Sequence, residues 1–340
     1  MAIVMGFDQH REQITYDLLD TETGELRRGR IRPADRDGVR RFLKGLVGER
    51  VVAAVEAMTG WRFVVEELIA AGATPHLAGP AETRVRRGPK RRAKTDRQDA
   101  RHLRELLQQG RLPESWIAPT HILELRLKVR LRRALVAERT EWQQRIQAQL
   151  FHHGVPVRQR LLRSVERRAW LESLELPDAA RMQITVALAV IDELNRQLAI
   201  LERELRQIAK SWPGPKALQA AHYGIGPTTA VAIVAELGDC RRFSSARKAV
   251  RYAGWDITVA QSDRPRAPGK LSRQGPETLR WATYEAANTA VRVGAPDHAD
   301  YLQLAERLGG NRARVAVARK LLRRSYHTLR QLGQEALQSA

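Results

Sequence analysis

The chain opens with Met1-Ala2-Ile3-Val4-Met5-Gly6-Phe7-Asp8, a short apolar strand that ends in a carboxylate. The residues after it alternate between strand and helix patterns in the order β-β-β-α-β-α-β. The patterns cover residues 2–8, 13–19, 25–31, 37–48, 51–55, 61–71 and 74–78. This order predicts an RNase H-like (RuvC-like) α/β domain, in which a three-stranded meander is continued by parallel strands. A doubly wound nucleotide-binding fold, the competing interpretation, would begin β-α-β with a glycine-rich turn, and the sequence has none there.

The rest of the chain is predicted to be almost entirely helical. A capping box at Thr95–Gln98 starts a helix after a basic loop. Apolar residues spaced by alternating threes and fours from Ile184 to Ile208 predict a coiled coil. The basic helix 122–150 is expected to pair with it antiparallel, or with another subunit. Trp212–Pro215 then breaks the coil, so we expect domains at 1–115, 116–212 and 213–340.

Composition points to a nucleic acid partner. The 340 residues include 59 Lys and Arg against 38 Asp and Glu, a formal net charge of +21. Such an excess favours a polyanion as ligand. Neither a membrane-spanning run nor a signal peptide is predicted, and one cysteine, Cys240, excludes an intrachain disulfide. The expectation is a soluble, cytoplasmic protein that acts on DNA or RNA.

Four acids in the first hundred residues form the sharpest constellation. Asp8 and Glu56 each end a predicted strand, and Asp96 and Asp99 share one face of a predicted helix. Neighbouring buried carboxylates repel one another unless cations neutralise them, and hard oxygen ligands favour Mg²⁺ or Mn²⁺. Two such ions can serve phosphodiester chemistry. Taken singly, each acid has an ordinary alternative as a turn cap, an arginine partner or a helix N-terminal acid.

The second half contributes candidate phosphate contacts. Gly224-Ile225-Gly226-Pro227 between two helices resembles a helix-hairpin-helix turn, which points backbone N–H groups at a phosphate; a plain helix corner is the alternative. Ser262 lies in a loop crowded with cations, where most serines only bind a phosphate through a hydrogen bond. The predicted nucleic-acid-binding residues are Arg86, Arg87, Lys90, Arg91, Arg92, Lys94, Gly224, Gly226, Arg264, Arg266, Lys270 and Arg273.

The motifs together resemble the insertion-sequence "one-ten" transposases, also called DEDD or bridge-RNA recombinases. The resemblance is carried by Gly6-Phe7-Asp8, Val55-Glu56-Ala57, Lys94-Thr95-Asp96-Arg97-Gln98-Asp99-Ala100, Gly224–Pro227, Ala253-Gly254-Trp255, and the block from Ser262 to Arg280. It implies that Asp8, Glu56, Asp96 and Asp99 bind Mg²⁺ (or Mn²⁺), and that Ser262 attacks DNA to form a 5′-phosphoserine link. The family usually has glycine after this serine, where this chain has Asp263.

The same resemblance implies partners. These are target and donor DNA, a structured non-coding guide RNA, and further copies of the chain assembled as a dimer or tetramer through the coiled coil. The enzyme would be prokaryotic, cytoplasmic and associated with the nucleoid when active. Two other functions stay open: a structure-specific endonuclease that uses water as nucleophile, and a non-enzymatic nucleic acid packaging protein.

Overall fold

The structure, a computed structural model, describes residues 2–46, 48, 50–86, 95–156, 165–257 and 270–338. The chain divides into two compact units, Met1–Ile117 and Ala118–Ala340. The finer division of the second unit at residue 212 stays a prediction.

The first unit is built on a mixed six-stranded sheet. Its elements in chain order are β1 Ala2–Gln9, β2 Ile14–Asp20, β3 Leu26–Ile31, α1 Arg36–Lys44, β4 Arg50–Glu56, α2 Trp61–Ala70, β5 Thr74–Ala78, α3 Pro80–Arg86, α4 Asp96–Gln108 and β6 Glu114–Ser115. The strand order is β3-β2-β1-β4-β5-β6. β1, β2 and β3 form an antiparallel meander, and β1, β4 and β5 run parallel. The predicted β-β-β-α-β-α-β order is therefore confirmed.

The two faces of this sheet bury different kinds of side chain. On one face, large residues such as Met5, Phe7 and Val55 pack in a core with Val39 of α1 and Leu68 of α2. On the other face β1 offers a glycine, and β4 and β5 offer alanines, beneath the leucines of α4. This second face lets α4 lie close to the strands.

Three details of this unit differ from the sequence expectation. α1 ends at Lys44 rather than near residue 48, because Gly45 caps it and returns its N–H to Phe42 and Leu43. The helix α3 and the edge strand β6 were not predicted, since seven and two residues are too short to show a periodic pattern.

The second unit is helical. Its helices are α5 Thr120–His152, α6 Val165–Glu172, α7 Asp178–Ser211, α8 Pro213–Ala221, α9 Pro227–Leu237, α10 Ala246–Tyr252, α11 Glu277–Ala290, α12 His298–Leu308 and α13 Gly310–Leu332. Short 3₁₀ turns lie at Cys240–Arg242 and Gly333–Leu337. Within the described residues, no helix is both long and apolar enough to span a membrane.

The long helices α5 and α7 pack against each other within one chain. Lys128 contacts Glu204 and Arg132 contacts Glu202, so the two helices run antiparallel. Six of the predicted seam residues of α7 are buried: Ile184, Ala187, Ile191, Leu194, Leu198 and Leu205. The helices and their buried stripe agree with the sequence pattern, and the supercoil itself stays a prediction.

Candidate active site

The first strand places a carboxylate at the edge of the sheet, beside the end of its parallel neighbour. Gly6 pairs with Ala54 and Phe7 with Val55, so Asp8 and Glu56 come next in register on adjacent strands. Side chains alternate along a strand, so both acids point to the face that α4 covers. Asp8 is buried, with a relative exposure of 5%, and Glu56 is half-buried.

Gly6 allows α4 to approach this face. A Cβ atom at Gly6 would lie 2.1 Å from the carbonyl oxygen of Ala100 and 2.6 Å from the backbone nitrogen of Arg104. Only a residue without a side chain fits such a contact. The close approach brings the first turn of α4, with its two acids, to the same edge of the sheet as Asp8.

The start of α4 is fixed by its cap. Thr95 precedes the helix in an extended conformation, and its hydroxyl accepts a hydrogen bond from the backbone N–H of Gln98 at 3.4 Å. This confirms the predicted N-cap. Asp96 and Asp99 therefore both lie in the first turn, where the helix dipole favours carboxylates, and Asp99 is buried.

A histidine joins the acids from the two elements. The Nε2 atom of His10 lies 3.2 Å from Oδ2 of Asp8 and 3.4 Å from Oδ1 of Asp96. The other oxygen of Asp96 accepts a hydrogen bond from Nε2 of Gln13 at 3.4 Å. One ligand atom each from Asp8, His10 and Asp96 lie within 4.8 Å of one another, a spacing that a single metal ion can bridge.

The electrostatics of Asp8 fit a cation-binding role. Burial raises the pKa of its carboxyl from 3.8 to about 6; Asp99 and Asp96 add repulsion, and His10 acts in the opposite direction. Burial and two neighbouring acids disfavour the charged form of this carboxylate, and a bound divalent cation would stabilise that form. The oxygen-rich donor set is therefore suited to Mg²⁺ or Mn²⁺.

Behind this group, a buried ion pair fastens α4 to the sheet. Asp17 of β2 pairs in register with Gly6, and its carboxylate contacts the guanidinium of Arg104 on α4. Arg28 of β3 donates to its other oxygen at 2.6 Å. Asp17 and Arg104 are both buried. This ion pair therefore holds α4 in the position in which its first turn lies next to the end of β1.

In the second unit, the two chain segments that flank residues 258–269 are held together. Ile257 and Leu271 form an antiparallel bridge. The backbone N–H of Ser272 donates to the carbonyl of Asp256 at 2.9 Å, and its hydroxyl also bonds the Asp256 carboxylate. The indole of Trp255 donates to Thr283 on α11 at 3.0 Å and so anchors these paired segments to the helical core.

Close backbone packing also joins the same two segments at their glycines. Gly254 and Gly275 have positive φ angles, and a Cβ atom on Gly275 would lie 2.0 Å from the carbonyl oxygen of Tyr252. Arg273 between them has φ of 52°, an uncommon conformation for a side-chain-bearing residue. The Ala253-Gly254-Trp255 motif and the Arg273-Gln274-Gly275 motif are thus two sides of one tight junction.

Comparison with known families decides the class of protein. A transposase model of the DEDD type from IS110 elements matches residues 5–153, and the model of the Transposase IS116/IS110/IS902 family matches residues 218–303. The first match contains the acids of β1 and α4, and the second contains the junction around Trp255. The chain belongs to the IS110 family of transposases. No curated protein matches the chain.

Membership of this family makes the protein a DNA transposase, an enzyme whose substrates are DNA. A DEDD transposase uses divalent metal, in agreement with the carboxylates at the end of β1.

The structure of the transposase brings together three of the four predicted acids. Asp96 and Asp99 both act electrostatically on Asp8. Glu56 lies beside Asp8 in the sheet register. The group of ligand atoms within 4.8 Å of one another comprises Asp8, His10 and Asp96, and so includes neither Glu56 nor Asp99. Ser262 lies outside the described residues, as do Arg87, Lys90, Arg91, Arg92, Lys94, Arg264 and Arg266.

The described members of the predicted phosphate-binding set occupy different settings. Arg86 ends α3, and Lys270 and Arg273 follow the segment 258–269. Gly224 has φ of 93°, and a Cβ atom there would lie 2.5 Å from the carbonyl oxygen of Ala286 on α11, so its lack of a side chain serves packing. Gly226 has open space around it. The role of these residues in binding nucleic acid stays a prediction.

Sequence reasoning missed His10 and the Asp17–Arg104 ion pair. A signal for His10 was present, because it follows the strand-terminal Asp8 by two residues, the spacing that places side chains on one face of an extended chain. No local signal marks Asp17 and Arg104, which are 87 positions apart in the sequence.

Proposed function

We propose that this transposase excises and inserts a mobile element with two groups from distant parts of the chain. The first is a divalent ion, Mg²⁺ or Mn²⁺, held by Asp8, Glu56, Asp96 and Asp99. The second is the hydroxyl of Ser262, which attacks DNA. The observation that carries the proposal is the convergence of carboxylates from β1 and from α4, about ninety residues later, at one edge of the sheet.

The strand order supports an RNase H-like fold for the first unit. A meander continued by parallel strands, with one acid at the end of β1 and another at the end of β4, is the arrangement the sequence pattern predicts for that fold. Two acids from a crossing helix complete the set. When bound, the ion would neutralise charge at the reacting phosphate and at the leaving oxygen.

The covalent step follows from the chemistry of a serine nucleophile. The Oγ atom of Ser262 attacks the phosphorus of a DNA phosphodiester and forms a new O–P bond, while the bond to the 3′ oxygen breaks. The serine proton leaves, and the 3′ oxygen takes up a proton to become a hydroxyl. Attack by a 3′ hydroxyl on the phosphoserine reverses the step, joins a new pair of strands and restores Ser262.

The charge of the chain supports nucleic acid as the main partner. A net charge of +21 favours both DNA and a structured RNA guide. The proposed contacts are the basic residues around position 90, the hairpin at Gly224 and Gly226, and the cations near Ser262. We propose that the RNA pairs with target and donor DNA and so supplies the sequence specificity.

The surface of the helix pair supports assembly of several copies. α5 and α7 leave large apolar side chains exposed, even though the two helices already pack on each other. The exposed residues are Leu127, Leu131, Phe151, Met182, Val186 and Ile200. Burial of such side chains is the usual driving force for oligomers. We therefore propose a dimer or tetramer assembled through these helices.

Trapping of the covalent intermediate tests the proposal. Purified protein, with its guide RNA and labelled donor DNA, is incubated with Mg²⁺ or Mn²⁺ and analysed on denaturing gels. The wild type should give a protein–DNA adduct, and Ser262→Ala should give none. Ser211→Ala, which removes an exposed hydroxyl of α7, is the matched control and should retain the adduct.

The remaining outcomes separate the alternatives. Asp8→Asn should abolish the adduct by loss of metal. Cleavage that persists in Ser262→Ala without an adduct would mean that water is the nucleophile, as in a structure-specific endonuclease. Binding of nucleic acid without cleavage in any divalent ion would favour the packaging protein and overturn the proposal.

A further inference from the structure

His10 is the least expected member of the metal-binding group. Its Nε2 atom lies between the two carboxylates, 3.2 Å from Asp8 and 3.4 Å from Asp96, although it sits just beyond β1 and Asp96 opens α4. The side chain of His10 is half exposed, so the rest of the ring does not lie in the core. A nitrogen atom therefore lies next to the carboxylate oxygens of the candidate centre.

The type of donor decides which cation such a centre prefers. Mg²⁺ takes oxygen ligands in a strict octahedral geometry and retains much of its water. An imidazole nitrogen is a softer ligand that suits transition ions, and affinity for nitrogen-containing sites rises along the first row from Mn²⁺ onwards. A site with two carboxylates and one imidazole should thus discriminate between Mg²⁺ and Mn²⁺, whereas an all-carboxylate site would discriminate less.

We propose that His10 is a direct ligand of this centre and makes it prefer Mn²⁺ over Mg²⁺. The inference rests on the proposed metal centre and adds its ion preference. Asp8 and Asp96 would supply the oxygen ligands, and Nε2 of His10 would supply the nitrogen ligand. Gln13, which donates to the second oxygen of Asp96 at 3.4 Å, keeps that carboxylate turned toward the histidine.

A purely structural role for His10 makes a different prediction. If its ring only donates a hydrogen bond to Asp8, no metal–nitrogen bond forms, and the two ions should bind with similar selectivity with or without the imidazole. The direct measurement is therefore of the bond itself. Pulsed electron paramagnetic resonance of bound Mn²⁺ reports the modulation from a coordinated ¹⁴N nucleus, independently of enzymatic activity.

The experiment uses the full chain, Mn²⁺ alone as the probe, and the variants His10→Gln and His76→Gln. Glutamine offers an amide oxygen in place of the nitrogen, so the site can still bind a cation. His76 on β5 contacts Glu114 of β6 at 2.9 Å and serves as the matched control, because its substitution removes another histidine–carboxylate contact from the same sheet. Circular dichroism and thermal unfolding verify that each variant is folded.

The wild type and His76→Gln should show the ¹⁴N modulation, and His10→Gln should lose it. His10→Gln should also weaken Mn²⁺ binding by about 10-fold, equivalent to about 1.4 kcal/mol, while Mg²⁺ affinity measured by competition should change by less than about 2-fold. The absence of ¹⁴N modulation in the wild type, or an equal loss of affinity for both ions, would overturn the inference.

Asp8→Asn separates this inference from the proposed function. Loss of Mn²⁺ binding in Asp8→Asn, together with a wild type that lacks the nitrogen signal, would leave the metal centre standing and remove His10 from its ligands. Mn²⁺ binding that survives Asp8→Asn unchanged would remove the metal centre itself, and with it both proposals.

Discussion

Asp8 should destabilise the metal-free protein at neutral pH, and its replacement by asparagine should stabilise it. The carboxyl pKa is raised from 3.8 to about 6, mainly by burial. The folded state therefore keeps a proton that the unfolded state releases between about pH 4 and pH 6. The free energy of unfolding falls as pH rises through this window, and the full penalty is present above it. Asparagine does not ionise in this range, so the variant escapes the penalty.

The magnitude follows from the size of the pKa change. A rise from 3.8 to about 6 corresponds to roughly 3 kcal/mol if the carboxylate is completely shielded from water. Asp8 lies at an edge of the sheet next to the half-exposed His10, where solvent screens part of the interaction. We therefore expect about 1–2 kcal/mol in favour of Asp8→Asn at pH 7.5, and about zero at pH 4.

The assay is thermal or urea unfolding in the presence of a chelator, for wild type and Asp8→Asn, at several pH values from 4 to 7.5. The informative quantity is how the difference in the free energy of unfolding between the two proteins varies with pH, because a lost hydrogen bond would change that difference equally at every pH. The same measurement on Asp37→Asn, at an exposed acid of α1, is the control for replacement of a surface carboxylate. A difference that stays constant with pH, or that favours the wild type increasingly toward pH 7.5, would show that ionisation of Asp8 does not destabilise the fold.

Three further predictions follow from packing and burial. Gly6→Ala should destabilise the first unit by at least about 2 kcal/mol and weaken metal binding, because the new Cβ would clash with α4. Gly45→Ala is the control and should be tolerated, because its Cβ would lie 3.4 Å from the nearest atom. Equal unfolding curves for Gly6→Ala and the wild type would contradict the clash. Glu236→Gln should cost about 3 kcal/mol in urea unfolding, because the fully buried carboxylate accepts from both Nε and Nη2 of Arg130 at 2.8 and 2.9 Å; a loss below 1 kcal/mol would show that the pair contributes little. Burial raises the pKa of Cys240 to about 12, so the native thiol should resist alkylation at pH 8 until the protein unfolds, and rapid modification of the folded chain would contradict this.

Local sequence patterns predicted most of the strands and helices of the first unit. The alternation in β2 is a strong signal, because Ile14 and Leu18 pack in the core on one face while Thr15 and Asp17 lie on the other. The continuous apolar run of β4 is equally strong, because this strand is covered on both faces. The cap at Thr95 was equally visible, since a side-chain acceptor followed by glutamine is a local motif. These elements fix which strands are neighbours, and so place Asp8 beside Glu56.

The parts that sequence could not supply depend on contacts between distant residues. The Asp17–Arg104 ion pair joins positions that no periodicity connects. The need for glycine at position 6 arises from the backbone of α4, which lies against it. The spacing of His10 from Asp8 was visible in the sequence, but its contact with Asp96 depends on where α4 packs. Each of these features arises from packing between elements, which a linear pattern does not encode.

Acids from β1 and α4 should hold one divalent ion in common, and an anomalous difference map of crystals soaked in Mn²⁺ shows directly whether they do. We expect a peak within bonding distance of carboxylate oxygens of both Asp8 and Asp96. A fully soaked crystal with no peak there, or with Mn²⁺ bound to only one of the two elements, would contradict it.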